Sequence, residues 1–125
     1  MKSAKLRVMD KKPGIQERTF DFSVSVVRFC RKIGRDLVTD ILIRQLLKAG
    51  TSVGANVHEA QASPTRKDFT LLIGHSLKSA NETLYWLNLL KDSSETPSQE
   101  LIWLIEECSQ LCKILGSSVV TLRKS

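Results

Sequence analysis

The chain is short of the features that mark most specialised proteins. Aromatic residues make up 6% of its 125 positions, with a single tyrosine, and there are only three prolines and three cysteines. Three cysteines supply no disulfide framework. Cys108 and Cys112 lie one helical turn apart and would provide half of a zinc site, but neither His58 nor His75 has a partner at ligand spacing. The expected state of Cys30, Cys108 and Cys112 is therefore the reduced thiol, packed as a small apolar group, and no metal or other cofactor is expected. No apolar run reaches the roughly 18 residues that span a bilayer, which excludes a membrane-embedded class. The opening segment MKSAKLRVMDKKPG has basic residues with no hydrophobic stretch behind them, so a cytoplasmic location is the expectation. Strand-like alternation and internal repeats are also missing.

Catalytic patterns are equally scarce. A di-iron bundle needs Glu-x-x-His pairs projecting inward, yet Ala62 follows Glu59 by three and Tyr85 follows Glu82 by three. A helical ribonuclease arrangement of Arg66 and His75 fails on phase, because nine residues are about two and a half turns. His58 and Glu59 are neighbours in sequence and point to different sides of a helix. No strand exists to precede a phosphate-binding glycine loop, and no serine has a triad around it. The chain is accordingly expected to be non-enzymatic.

What is present is helical periodicity in a chain of 42% apolar and 26% charged residues, the balance of one folded domain. A basic arm, residues 1–14, ends at Pro13-Gly14, and the folded domain occupies 15–125. In the first helix, Ile15 to Ile33, Phe22, Val26, Phe29 and Ile33 form one stripe and Phe20, Val24 and Val27 another. Gly34 fits a positive-φ C′ position. A second helix starts near Asp36 and ends near Ala62, with Ile41, Leu42, Gln45, Leu46, Ala49, Val53, Asn56, Val57 and Ala60 inward. Ser63-Pro64 reads as N-cap and N1 of a third helix running to about Lys91, with the heptad Phe69, Ile73, Ser76, Ala80, Thr83, Leu87, Leu90. Thr96-Pro97-Ser98-Gln99 reads as the capping box of a fourth, with Leu101, Ile105, Cys108, Cys112, Leu115, Val119 and Leu122 inward. Short loops between four amphipathic helices define an all-α, antiparallel up-down four-helix bundle. Extra apolar residues beside the heptad positions point to self-association. Tyr85, Trp86 and Trp103 are expected to meet near one end of the bundle.

The net charge of +6 is unevenly placed. Residues 1–12 carry +4 through Lys2, Lys5, Arg7, Lys11 and Lys12 against Asp10, leaving +2 for the rest. These five groups are the candidate nucleic-acid contacts; the alternative is a solvated tail. If copies form a ring, the arms repeat and weak patches reinforce one another.

The second helix holds the most unusual segment, QLLKAGTSVGANVHEAQAS. Glycine inside a helix costs roughly 1 kcal/mol relative to alanine. Ala49, Gly50, Ser52, Gly54 and Ala55 are therefore expected to admit close approach of another helix. Asn56 and Glu59 among them suggest a buried polar network with Lys78, Glu82 and Arg18 that fixes register and partner choice; contact with a ligand or RNA is the other reading.

The segments IQERTFDF, QLLKAGTSVGANVHEAQAS, KDF and LKSANETLYWL resemble the bacterial four-helix bundle family, also called the 23S rRNA intervening-sequence protein family. The matching positions include Arg18, Phe20, Gln45, Ser52, Ala55, Asn56, Glu59, Asp68, Phe69, Lys78, Glu82, Tyr85 and Trp86. Ser79 departs from the glutamate that many members carry, and His75-Ser76 from a more apolar segment. The resemblance implies a four-helix bundle assembling as a homopentameric ring. A related branch, the accessory variability determinants of diversity-generating retroelements, comprises basic pentamers that bind a reverse transcriptase and nucleic acid. The implied partners are thus other copies of the chain, RNA or DNA, and a reverse transcriptase. Two functions follow as expectations: an oligomeric scaffold for nucleic acid or a nucleic-acid enzyme, and a protein-interaction module with no nucleic-acid role.

Overall fold

The structure, a computed structural model, describes residues 14–124. Helices occupy Ile15–Lys32 (α1), Leu37–Ala60 (α2), Arg66–Asp92 (α3) and Gln99–Arg123 (α4), and the described residues contain no strand. Each helix packs against the next, and α1 also meets α4; the diagonal pairs do not approach each other. The pairing is antiparallel. Gly50 and Gly54 of α2 lie against Val26 and Thr19 of α1, so one helix ascends where the other descends. Ser76 and Ser79 of α3 meet Val53 and Ser52 of α2 in the same reversed order.

The helix starts differ from the sequence reading in two places. Asp36 caps α2 as expected, its carboxylate accepting from the Thr39 amide at 2.8 Å. That bond holds the Asp36 carboxyl below its ordinary range. For α3, however, the cap is Thr65 rather than Ser63, accepting from the Asp68 amide at 3.1 Å. The Ser63 amide is still donating to the Ala60 carbonyl, so the chain has not yet left the preceding turn. The cap of α4 is Ser98 rather than Thr96, accepting from the Leu101 amide at 3.1 Å. A second correction concerns Gly34. No glycine among the described residues has positive φ; α1 ends on Ile33 in extended conformation instead of a left-handed C′ residue.

The core has two connected parts. Phe22, Val26, Phe29, Leu46, Leu87, Leu104 and Leu111 fill the part nearer the 33–36 and 93–98 connections. Val53, Val57, Ala60, Ile73, Ala80, Leu115 and Val119 fill the other. The α3 heptad is buried as read, except that Phe69 is only half-buried. On α4 the heptad positions Leu101, Cys108, Leu115 and Val119 are buried, together with Leu104 and Leu111 beside them. Ile41, expected to face inward, is 54% exposed. It lies two residues from Ile43, about 200° around the helix, and Ile43 carries the core stripe instead. The same phase argument places Phe20 outside, 66% exposed, while Phe22 is buried.

The small residues divide the same way. Ala49, Gly50 and Gly54 are buried and Ser52 is half-buried, but Ala55 faces out, two residues from both Val53 and Val57. A Cβ at Gly50 would stand 3.0 Å from Val26 Cγ1. A Cβ at Gly54 would stand 3.0 Å from the Thr19 carbonyl oxygen and 3.2 Å from its carbon. The second case is the harder constraint, because backbone cannot rotate away. Gly116 of α4 has nothing within 4 Å of the same position.

Gly54→Ala should therefore lose stability despite its gain in helix propensity, by about 1 kcal/mol net, since overpacking costs about 1–3 kcal/mol. Gly116→Ala should gain up to about 1 kcal/mol. Urea unfolding at constant m-value measures both, and a Gly54→Ala variant as stable as the parent would refute the close approach of α1 and α2.

Candidate functional site

Four features of the bundle offer chemistry or contact: a hydroxyl seam between α2 and α3, an ion pair between α1 and α4, an outward apolar groove, and two thiols on α4. The seam begins with Ser52. Its Oγ accepts from Asn56 Nδ2 at 3.0 Å and from Ser79 Oγ at 3.1 Å, while Asn56 Nδ2 also donates to the Ser52 carbonyl at 2.8 Å. One turn away, fully buried Ser76 donates to the Val53 carbonyl at 2.7 Å. Short hydroxyls suit this place: they satisfy themselves across a helix interface without holding the helices apart.

The polar network read from the sequence does not form as one unit. Arg18 turns to α4, where Nε and Nη2 reach the two Glu107 carboxylate oxygens at 2.8 Å each and Nη2 also reaches Gln110 Oε1 at 2.6 Å. This forked bond raises the guanidinium pKa further, partly opposed by its burial. Asn56 joins Ser52 and Ser79 instead. Glu82 accepts from Trp86 Nε1 at 3.0 Å, four residues along the same helix. Glu59 and Lys78 are exposed and make no ion pair with each other. The reason is phase: Glu59 lies next to buried Ala60 but about 160° around the helix from Val57 and about 120° from Val53. Glu107 and Gln110, the partners that sequence reading missed, lie 89 and 92 residues from Arg18, beyond any local signal.

The apolar groove runs between α1 and α2 on the outside of the bundle, with a volume of about 890 Å³. Phe20, Ser23, Thr51, Gly54 and Ala55 line it, and Gln16, His58 and Glu59 stand at its rim. Phe20 also lines a smaller outward hollow with Val24 and Val27, so the second stripe of α1 is a surface feature. On α3 and α4, Leu71, Tyr85, Trp103 and Val120 are exposed as well. Tyr85 and Trp86 form an edge-to-face pair with centroids 5.0 Å apart; Trp103, expected to join them, stands apart from that pair.

The cysteines are free, with Cys30 and Cys108 buried and Cys112 half-buried. Burial pushes Cys30 up to about 11. Cys108 Sγ donates to the Ala80 carbonyl at 3.3 Å; the neighbouring Cys112 thiol, reinforced by burial, pushes Cys108 up, and the same proximity lowers Cys112. The described residues include no group of three or more His, Cys, Asp or Glu able to hold a metal ion. None of their helices is long and apolar enough to cross a membrane. Lys2, Lys5, Arg7, Lys11 and Lys12 lie outside the described residues.

Four antiparallel helices joined through packing seams define an all-α four-helix bundle. The family model for the 23S rRNA-intervening sequence protein matches residues 11–117, and the chain belongs to that family. A crystal structure of a protein of unknown function from the S23 ribosomal protein family of Bacteroides thetaiotaomicron is similar to it. The two share 27% identity over 85% of this chain and 98% of that one, with a TM-score of 0.75. No curated protein matches the chain.

Two measurements check this description. A double-mutant cycle on Arg18→Ala and Glu107→Ala should return a coupling of about 1 kcal/mol, at the upper end for a partly exposed pair because the contact is bidentate. At pH 8 DTNB should modify Cys112 first and reach Cys30 and Cys108 only on unfolding, since thiols held above their ordinary range present little thiolate. Equal native-state rates for the three would contradict it.

Proposed function

We propose that this protein is a non-enzymatic scaffold that assembles from several copies through its outward apolar surfaces and uses its positive charge to bind nucleic acid or an enzyme acting on nucleic acid. The observation that carries the assembly is the presence of two separate apolar surfaces. One is the α1–α2 groove with Phe20; the other is the first turns of α2, where Leu37 is 78%, Val38 67% and Ile41 54% exposed. Two unlike patches on one chain suit head-to-tail contact, which closes into a ring when the rotation allows. A single self-complementary patch would favour a twofold dimer instead. A five-membered ring with a reverse transcriptase as partner is the sharpest form of this reading, and rests on the family resemblance. Family membership itself specifies a fold better than a function.

The nucleic-acid half of the proposal rests on charge. Five cations within residues 1–12 form a basic arm, and a ring would bring several arms together. Contact with phosphate releases counterions, so affinity should fall steeply with salt.

Native mass spectrometry at micromolar concentration should show one closed oligomer, and Phe20→Glu should convert it to monomer by placing a charge in the groove. A parent protein that is strictly monomeric refutes the assembly. Replacing Lys2, Lys5, Arg7, Lys11 and Lys12 by serine should weaken binding to a labelled oligonucleotide and flatten its salt dependence. Assembly with no binding at low salt would favour the protein-interaction module.

A further inference from the structure

Because the helices alternate in direction, the start of α1, the end of α2, the start of α3 and the end of α4 share one end of the bundle. At the far end Lys32 pairs with Glu100 at 3.2 Å, Arg35 with Asp40, and Lys91 contacts Asp92 at 3.7 Å, while Arg28 and Arg31 make no ion pair among the described residues. At the end bearing Gly14, no ion pair among the described residues engages Lys67, Arg123 or Lys124. Cations gathered around one surface make a local positive field even when the body is nearly balanced overall.

These cations surround a shaped surface. A groove of about 600 Å³ lies between the first turns of α3 and the last turn of α4, lined by Arg66, Lys67, Leu71, His75 and Arg123, with Asp68 as its one acid. Gly74 lies in the same groove. Unlike Gly50 and Gly54, it has no packing reason: a Cβ built there meets nothing within 4 Å. A helical glycine that opens onto a cationic groove lets a ligand approach the helix backbone closely. The basic arm joins the bundle at Gly14, at this same end.

We propose that this groove is a nucleic-acid backbone site on the folded body, in which Lys67 and Arg123 contact successive phosphates and His75 donates a further hydrogen bond. The inference rests on the nucleic-acid reading given above and assigns it a second, folded surface. Closely spaced phosphates are the fitting chemistry because the two cations come from different helices and face one open channel, and a channel that tracks a strand is how sequence-tolerant binders of single strands work. Asp68 at the wall disfavours a lone carboxylate or small anion and leaves a polyanion, with many charges to share, as the better occupant.

The test is fluorescence anisotropy with a labelled 20-nucleotide single-stranded RNA, and a DNA of the same sequence, from 50 to 200 mM salt. Lys67→Ala combined with Arg123→Ala removes two charges at the groove. Lys32→Ala combined with Arg35→Ala removes two at the far end and serves as the charge-matched control. The groove pair should lose about tenfold or more at 50 mM salt, and its slope of log K against log salt should be shallower by about 1.4 on RNA, from about 0.7 per phosphate contact. The control pair should keep the parent affinity and slope. Gly74→Leu, which fills the groove without changing charge, should weaken binding too, with circular dichroism showing the helices intact. Loss on both polymers is expected, because the contact is to phosphate. Equal loss in the groove and control pairs, or loss in neither, overturns the groove while leaving the nucleic-acid reading standing. A parent protein that binds neither polymer at 50 mM salt overturns both.

Discussion

The approach of Gly54 to the Thr19 carbonyl is the contact on which the rest of the bundle depends. Glycine at positions 50 and 54 weakens α2 as an isolated helix, by roughly 1 kcal/mol each. In exchange α1 and α2 come close enough for Val26, Phe22 and Leu46 to bury completely. Most helical stability in a bundle comes from such packing rather than propensity, so the exchange is favourable. It also fixes the register of α1, because the contact at Gly54 is with backbone and admits little sliding. With that register set, Arg18 arrives opposite Glu107 and closes the square of helices on its fourth side.

The α2–α3 side is organised by different means. There Ser52, Asn56, Ser76 and Ser79 supply hydroxyl and amide bonds in place of bulky side chains. Two of these four, Ser76 and Ser79, belong to α3 and bond across to Val53 and Ser52 of α2. Neutral groups of this kind suit a tight seam better than the ionic network the sequence suggested, because burying a charge without a full set of partners is costly. Glu59 and Lys78, freed from the core, remain on the surface, where Glu59 stands at the rim of the apolar groove.

A fold of this kind presents several distinct surfaces. Its apolar groove lies between α1 and α2, and its cationic groove between α3 and α4. The separation matters physically. Assembly and phosphate binding would then use different parts of the molecule and could strengthen each other through repetition.

The sequence by itself determined the four helices, their antiparallel order and the heptad of α3, because 3.6-residue periodicity and short loops are local properties. It also showed that α2 must pack closely, since two helical glycines need a compensating neighbour. Fine phase was less legible: Phe20, Ile41 and Ala55 each sit two residues from a buried position, and a wide apolar stripe does not say which edge is covered. Only the tertiary structure decided that Arg18 pairs with Glu107, that Ser52 meets Ser79, and that Lys67 and Arg123 share one groove. Those contacts join residues 27 to 89 positions apart, and spacing along a chain carries no information about helices that meet only after folding.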